Sequence, residues 1–331
     1  MRRVDGEAQL ESAMRDAASE AERAFGSGEV YLEKLIERPR HIEVQVLGDE
    51  YGHLIHLGER ECSIQRRHQK VVEESPSPLM LSKPELRDKI GEAALRIARA
   101  ANYTNAGTLE FLADQQGNFY FLEMNTRLQV EHPVTEWVTG IDLVHWQLRI
   151  AAGERLSIRQ SDVQWRGSAI ECRVYAEDPD NNFFPTPGKI SCYVEPSGPG
   201  VRVDAGVYAE WTVPIEYDPL LAKVSVWGET RESAIQRMRR AVAEYRIIGM
   251  TTNLRLFERL MADDQFIAGN LNTAFLDEFM NRLPAPETHE DGLVAAILAA
   301  AHSRAESAPV SPEALPTTAL WRIEGRRGLL R

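Results

Sequence analysis

Two glutamates in the middle of the chain are spaced so that they could share a metal ion. Glu110 and Glu123 lie in two β-rich runs, residues 107–113 and 118–124, that flank a turn-forming segment. A turn centred midway between the glutamates pairs them directly, with Cβ atoms roughly 4.5 to 5.5 Å apart, and places Asn125 on the same face. A divalent cation would relieve the repulsion between the carboxylates, and Mg²⁺ also binds substrate phosphates. The spacing therefore favours a metal site at Glu110, Glu123 and Asn125.

The segment that follows, from Asn125 to Pro133, combines amide, guanidinium and carboxylate groups. If it alternates like a strand, its odd-numbered residues share one face, namely Asn125, Arg127, Gln129 and Glu131. Such a face could bind a small planar oxyanion, because the Arg127 guanidinium offers a rigid fork of donors. The Glu131 carboxylate could then remove a proton from the bound acid.

A short basic run, Gln-Arg-Arg-His-Gln-Lys at residues 65–70, is the third candidate. Lys70 would act as a point charge and His68 as a donor toward phosphates or a carboxylated anion. The chain has no Walker sequence, dinucleotide-binding glycine motif, nucleophile elbow or His-Glu-x-x-His motif. Interpretations as a P-loop, Rossmann, serine hydrolase or zinc protease protein therefore lack support.

Each cluster also has an alternative interpretation that the residues alone leave open. The two glutamates could be exposed or paired with arginine, and a one-residue register error would separate them. The face from Asn125 to Glu131 could be solvated, with an ion pair between Arg127 and Glu131. The basic run could be a solvated loop.

Periodicity predicts the elements that position these groups. We expect a helix from Leu10 to Phe25, a strand at 30–36, an antiparallel hairpin at 41–47 and 53–57, and the second hairpin around Glu110. Between the hairpins, Ser82 and Glu85 form a capping signature for a helix that turns four residues inward, namely Ile90, Ala94, Ile97 and Ala101. Short strands follow Ser168, with an amphipathic helix at 235–245.

Composition restricts the class of protein. The chain has 331 residues, 43% hydrophobic and 27% charged, which is enough for two or more domains. Its net charge of -12 makes nucleic acid a poor partner. No signal sequence or membrane span is recognisable. The three cysteines, Cys62, Cys172 and Cys192, are far apart and predict neither disulfides nor zinc, so we expect a cytoplasmic protein.

Taken in order, these segments resemble the biotin carboxylase component of biotin-dependent acyl-CoA carboxylases, an ATP-grasp family. The resemblance covers about residues 1–280, and the run at 124–135 is its most specific part. The matching sequences include Tyr-Leu-Glu-Lys at 31–34, Arg-His-Ile-Glu-Val-Gln at 40–45, residues 59–74, 107–111 and 121–135, Glu-Cys-Arg at 171–173 and Ala-Glu-Asp-Pro at 176–179.

The resemblance implies a ligase reaction. ATP would phosphorylate bicarbonate, carboxyphosphate would break down, and CO2 would pass to N1 of biotin. Implied nucleotide contacts are Glu33, Lys34, Ile36, His41, Gln65, His68, Glu110 and Glu123. Implied ligands of Mg²⁺ or Mn²⁺ are Glu110, Glu123 and Asn125. Bicarbonate would be bound by Lys70, Arg127, Gln129, Val130 and Arg173. Glu131 would be the base, Arg173 would stabilise the biotin enolate, and Lys70 and Arg127 would complete the catalytic set.

The resemblance also implies an α+β fold of the ATP-grasp type and four segments. These are a lid remnant at 1–38, the catalytic core at 39–166, a biotin carboxylase C-terminal domain at 167–280, and a connector at 281–331. Expected partners are a second copy of the chain, a biotin carboxyl carrier domain or protein, and a carboxyltransferase subunit. No Ala-Met-Lys-Met biotinylation segment occurs, so the biotin would be carried elsewhere.

Members of the family carry an N-terminal nucleotide-fold domain, two ATP-contacting lysines and a glycine-rich loop that precede the first residue here. We therefore expect an N-terminally truncated chain with little carboxylase activity of its own. Two other functions compete with this one. The chain could be another ATP-grasp carboxylate ligase, which shares the Glu/Glu/Asn metal set, or a docking pseudo-subunit without turnover.

Overall fold

A computed structural model describes residues 2–284, 294 and 296–302 of the chain. Contacts divide it into two units, residues 1–283 and 284–331. In the second unit, Val294 and residues 296–302 are helical and exposed. The rest of the predicted connector beyond residue 284 lies outside the described residues. No helix among the described residues has the length and apolar character needed to cross a bilayer.

The described part of the first unit contains both helices and strands. The helices are α1 (Glu7–Phe25), α2 (Pro78–Ser82), α3 (Glu85–Ala100), α4 (His132–Thr139), α5 (Leu143–Ala151), α6 (Arg231–Glu244), α7 (Leu254–Leu260), α8 (Asp264–Ile267) and α9 (Phe275–Arg282). The longer strands are β1 (Arg40–Gly48), β2 (Leu54–Arg66), β3 (Gln69–Ser75), β4 (Asn105–Ala113), β5 (Phe119–Asn125) and β6 (Ser168–Tyr175). The remaining strands are β7 (Glu177–Asp178), β8 (Phe184–Pro185), β9 (Gly188–Lys189), β10 (Cys192–Val194), β11 (Val201–Ala205), β12 (Thr212–Val213), β13 (Leu220–Gly228) and β14 (Arg246–Ile248).

One eight-stranded sheet dominates the unit. Its strand order is β11-β13-β6-β3-β2-β1-β4-β5, and every neighbouring pair is antiparallel. Strand β6 pairs with β3, so the sheet continues through the predicted boundary at residues 166 and 167. The four-segment division stays a prediction, whereas the α+β class with an antiparallel sheet is confirmed.

The central strands are buried on both faces, and the two faces have different chemistry. On β1, Ile42 and Val44 belong to the apolar core that packs against α3. The alternate residues, His41, Glu43 and Gln45, are also buried but polar. Because strand side chains alternate, one face of the sheet builds a hydrophobic core and the other presents polar groups to the site.

The predicted helices and hairpins are largely confirmed, with α1, α3, α6 and both hairpins present. Ser82 is not the cap of α3, because it ends α2, and its hydroxyl donates to the Leu79 carbonyl. Pro84 occupies the N-cap position instead. Of the four residues expected to face inward, Ile90 and Ala94 are buried, Ile97 is half-buried and Ala101 is exposed.

Two strand predictions are wrong. Residues 30–36 form no strand, and none of the described strands pairs with them. Their apolar side chains do not enter a core, since Tyr31 and Leu32 are 82% and 64% exposed. The alternating segment after Asn125 is not a strand either, since β5 ends there and the chain turns into α4. The alternating polar residues lie in a loop, where Gln129 and Glu131 are buried and Arg127 is exposed.

Candidate functional site

The β4–β5 hairpin pairs Glu110 with Glu123, as the spacing predicts. The turn differs from the expected one, because Asp114 and Asn118 pair around a three-residue loop. Beyond it the register shifts by one residue between Glu110 and Phe111, which leaves Leu122 without a partner. This β-bulge restores the pairing that a turn centred between the glutamates would have produced.

The two carboxylates point toward a common place. Asn125 Nδ2 lies 2.9 Å from Glu110 Oε1 and 3.3 Å from Glu123 Oε1. Glu110 is 5% exposed, whereas Glu123 is exposed and has only the Asn125 contact among its described hydrogen bonds. Carboxylate and amide oxygens are the ligands that Mg²⁺ prefers, so these residue types suit the ion, and Asn125 would have to turn its amide oxygen, instead of the nitrogen that faces the carboxylates here, toward it. One carboxylate is fixed by the protein and the other is free to move onto a ligand.

Lys70 is the cation at the centre of the site. Its Nζ donates to Glu43, to Glu110 Oε1 at 3.0 Å and to Glu131 Oε1 at 2.8 Å. Burial alone would lower the pKa of Lys70, but the carboxylates of Glu43, Glu131 and Glu110 outweigh burial and raise it. The ammonium therefore stays charged and binds three strands and the start of α4 together.

Glu131 is the N-cap residue of α4 and is 1% exposed. Both of its oxygens are held, Oε1 by Lys70 and Oε2 by an Arg173 terminal nitrogen at 2.9 Å. The Arg173 Nε also donates to Glu73 Oε1 at 2.6 Å. Helix α4 ends at Thr139 and is capped by Gly140, whose left-handed φ of 70° lets its N–H donate to the Glu136 carbonyl. The helix thus fixes Glu131 between two cations at its positive end.

A fully buried arginine, Arg60 on β2, supports this cluster and was missed by sequence reasoning. Its guanidinium donates to Glu43 Oε2 at 3.0 Å and to Gln129 Oε1 at 2.8 Å. It also donates to Gln45, Thr108 and Thr135. The five acceptors lie on four different segments. Arg60 therefore positions the site without facing solvent.

Glu43 and Glu73 were also missed, and both are 0% exposed. Burial alone would raise the pKa of Glu43, but Lys70 and Arg60 hold it well below its usual range. The sequence signal was available, because Glu43 alternates with apolar residues on β1. It was not specific, since such alternation usually marks a solvated strand face.

The predicted bicarbonate residues lie in three different environments. Gln129 is 4% exposed, and its Nε2 donates to Glu110 Oε1 at 2.8 Å. The Val130 carbonyl accepts a hydrogen bond from Lys223. Arg127 is exposed, and its only described side-chain bond is to the Leu128 carbonyl at 3.2 Å. The alternative ion pair between Arg127 and Glu131 is not formed, because Lys70 and Arg173 occupy both Glu131 oxygens.

The predicted nucleotide residues divide into a buried and an exposed group. His41 Nε2 lies 2.9 Å from Glu110 Oε2, and its Nδ1 lies 3.0 Å from Gln65 Nε2. Burial would lower the pKa of His41, but Glu110 and Glu43 raise it to about 9. The exposed group is Glu33, Lys34, Ile36 and His68, with Ile36 half-buried.

The exposed residues have few contacts. The Lys34 ammonium lies 5.9 Å from the centre of the Tyr120 ring. Arg67 and His68 form the two-residue turn between β2 and β3, with φ values of 49° and 68°. A turn with two left-handed residues usually carries Asn or Gly, so these side chains are displayed at a cost in backbone strain.

Two family profiles match the chain. The one described as the carbamoyl-phosphate synthase L chain, ATP binding domain, covers residues 1–159. The one described as the biotin carboxylase C-terminal domain covers residues 171–278. Together they include every residue of the site described above.

Curated relatives are similar over most of the chain. The biotin carboxylase of Nostoc sp. is 56% identical over 266 residues, which is 80% of this chain and 59% of that protein. A pyruvate carboxylase subunit of Methanothermobacter thermautotrophicus is 52% identical over 285 residues, 86% of this chain and 57% of that protein. The chain thus spans less than two thirds of the length of either relative.

A solved structure has the same fold. It is the biotin carboxylase domain dimer of the Hydrogenobacter thermophilus 2-oxoglutarate carboxylase, in complex with MgADP, ADP and bicarbonate. It is 48% identical with a TM-score of 0.78, and the match covers 84% of this chain and 62% of that one.

Proposed function

This chain belongs to the biotin carboxylase family of ATP-grasp ligases, and we propose on that premise that it provides the bicarbonate and biotin site of an ATP-dependent biotin carboxylation. In this reaction a bicarbonate oxygen attacks the γ-phosphorus of ATP, ADP leaves, and bicarbonate loses its proton. The carboxyphosphate formed breaks into CO2 and phosphate. N1 of biotin then gives its proton to the released phosphate and bonds to the CO2 carbon.

One observation carries the proposal. Glu131 is a buried carboxylate whose two oxygens are held by two different cations, Lys70 at 2.8 Å and Arg173 at 2.9 Å. A bicarbonate ion brings acceptor oxygens for the same two cations and one proton for the carboxylate. The cluster therefore offers preorganised positive charge and a base within the same few ångströms, which is the arrangement that proton removal from a bound oxyacid requires.

The residues around Glu131 would position the anion. Gln129 is held at both ends of its amide, by Arg60 and by Glu110, so it faces the site in one orientation. Arg127 is exposed and free of acidic partners among the described residues, so its fork of donors is available to a carboxylate-like ligand. The Arg173 guanidinium could stabilise negative charge on the biotin oxygen while Glu73 keeps it in place.

The proposed metal ligands are Glu110, Glu123 and Asn125. A Mg²⁺ ion bound there would neutralise charge on the phosphoryl oxygens. The chain's own contribution is orientation, because Glu110 is fixed by Lys70, Gln129 and Asn125. His41 adjoins this carboxylate and Gln65 contacts His41. These two are the proposed buried nucleotide contacts, and the proposed exposed ones are Glu33, Lys34, Ile36 and His68.

The wider assignments are proposals too. A biotin carrier and a carboxyltransferase are the expected partners, supported by a relative that is itself named as a carboxylase subunit. A second copy of the chain is supported by the dimeric biotin carboxylase domain of Hydrogenobacter thermophilus. Cys62, Cys172 and Cys192 are free thiols, which favours a reducing compartment such as the cytoplasm. The two profile matches flank residues 160–170, which supports a domain boundary near residue 167.

The experiment that tests the activity is a chimera in which this chain replaces the matching segment of the Nostoc biotin carboxylase. We expect Mg²⁺-dependent ATP hydrolysis that requires bicarbonate and free biotin. Glu131→Gln should lower the rate by roughly 10² to 10⁴, the usual worth of a positioned general base. Glu136→Gln is the matched control, because Glu136 lies on the same helix but contacts Arg202 instead of the site.

Two outcomes would oppose the proposal. A folded chimera that hydrolyses no ATP in response to bicarbonate would favour the docking subunit without turnover. Hydrolysis that responds to bicarbonate but is unaffected by Glu131→Gln would assign the proton to a different group.

A further inference from the structure

Another buried glutamate, Glu171 on β6, is separate from the groups assigned above and has no role in the proposed steps. It is 0% exposed, and neither of its carboxylate oxygens has a hydrogen-bond partner. A buried charged carboxylate without donors destabilises the folded chain, so the group needs another way to satisfy its oxygens.

The residue directly opposite Glu171 is a second buried acid. Glu171 pairs with Glu73 on the neighbouring strand β3, and cross-strand partners have Cβ atoms roughly 4.5 to 5.5 Å apart. Glu73 Oε1 accepts from Arg173 Nε at 2.6 Å, but Glu73 Oε2 has no partner. Three of the four oxygens of this acid pair therefore lack a donor.

A proton between the two groups would satisfy oxygens from both. We propose that Glu171 and Glu73 share a single proton, carried on Glu171 and donated to Glu73, which leaves one negative charge behind the Arg173 guanidinium. Burial raises the pKa of both carboxylates, but the direct bond from Arg173 lowers that of Glu73, so the negative charge remains on Glu73. Glu171 is then a positioning residue that acts on Arg173 through Glu73.

The charged groups around Glu171 agree with this assignment. They are Glu73 on β3, Arg173 on β6, Lys223 on β13 and Glu131 at the start of α4. Burial raises the pKa of Glu171 well above its usual range, Lys223 and Arg173 lower it only in part, and Glu73 and Glu131 raise it further. The remaining facing neighbour, Ser225, accepts a hydrogen bond from Trp137 and is uncharged.

The shared proton has a consequence for the proposed reaction, and this step alone rests on the proposed function. Arg173 divides its donors between Glu73 and Glu131. If the proton were lost, a second negative charge would draw the guanidinium toward β3 and away from the bound substrate. Activity of the chimera should therefore fall on the alkaline side as this proton leaves, and Glu171→Gln should move that fall to higher pH.

The proton itself can be detected without turnover. In the purified chain at pH 7, the infrared band of a protonated carboxylic acid should be lost in Glu171→Gln. Glu59→Gln is the matched control, because Glu59 is also buried but accepts from Arg87 at 2.7 and 2.8 Å. Glu171→Asp keeps the acid and should keep a band. Identical spectra for the wild-type chain and Glu171→Gln would overturn the proposal.

The pH dependence of unfolding gives an independent measurement. The folded chain holds a proton that the unfolded chain loses above the ordinary glutamate pKa of 4.5. The unfolding free energy should therefore decrease as the pH rises from 4.5 to the pKa of the buried pair. Over that interval the unfolding constant of the wild-type chain, relative to that of Glu171→Gln, should rise by up to about tenfold per pH unit. Equal pH slopes would contradict the shared proton, whether or not the chimera is active.

Discussion

The two halves of the site differ in how much of their geometry exists before any ligand binds. The buried half consists of Arg60, Lys70, Glu131 and Arg173, together with Glu43 and Glu73. The open half consists of Glu33, Lys34, Ile36, His68 and Glu123. In the buried half each cation has two or more acceptors, as Lys70 has in Glu110 and Glu131. In the open half the described contacts are few, such as Lys34 at 5.9 Å from the Tyr120 ring.

The difference follows from what each half would have to do. Stabilising charge on a small anion requires dipoles and charges that are fixed in advance, because reorganising them during the reaction costs free energy. Binding a large flexible nucleotide tolerates side chains that become ordered on contact, at a cost in affinity. The buried half therefore fits the proposed chemistry of bicarbonate and biotin, and the open half fits the proposed binding of the nucleotide.

The contrast between the two halves is tested most directly at Arg60. Replacing it with leucine removes the Arg60 donors of Glu43 Oε2 and Gln129 Oε1, and both acceptor residues are buried. Removing one partner of a buried ion pair costs about 3 to 5 kcal/mol of unfolding free energy. Chemical denaturation of the chain should show that loss, and Arg15→Leu, at an exposed arginine of α1, should change stability by less than about 0.5 kcal/mol. A loss below about 1 kcal/mol for Arg60→Leu would mean that the buried half is not held by its ion pairs.

The sequence predicts the β4–β5 hairpin better than it predicts the contacts of the buried half. Glu110 and Glu123 were paired correctly, although two deviations cancel: a turn shifted by half a residue and a bulge at Leu122. Local spacing was sufficient because both strands belong to one hairpin. The direction of Asn125 was also predictable, since it lies two residues beyond Glu123 on the same strand.

The buried charges depend on contacts between distant strands, which local patterns do not encode. Arg60 reaches Thr135 across 75 residues, and Arg173 reaches Glu73 across 100. Arginine and glutamate are rarely buried, so composition assigns them to the surface. The path from Asn125 to Glu131 was mispredicted for a related reason: polar alternation resembles a strand, but Pro133 near the start of α4 favours a helix beginning beside Glu131.

The open half can be tested at Glu123, where metal binding and stability should separate. Glu123→Gln should weaken the binding of Mn²⁺, used as a paramagnetic probe of the Mg²⁺ site, because one of two proposed carboxylate ligands is lost. The unfolding free energy should change by less than about 0.5 kcal/mol, since Glu123 is exposed. Glu123→Asp is the control that keeps a carboxylate. Unchanged Mn²⁺ binding in Glu123→Gln would remove this residue from the metal site.

The smallest change in unfolding free energy is expected at Lys34, in contrast to the large change expected at Arg60. The Lys34 ammonium lies near the outer limit at which an aromatic ring attracts a cation, so Lys34→Ala should alter the unfolding free energy by less than about 0.5 kcal/mol. If the open half captures the nucleotide, the same change should still raise the KM for ATP of the chimera and leave its kcat unaltered, because a contact made equally in the ground and transition states affects binding alone. A fall in kcat with constant KM would instead mean that Lys34 acts in the transition state, as the charges of the buried half are proposed to do. The two halves would then not differ in function at Lys34.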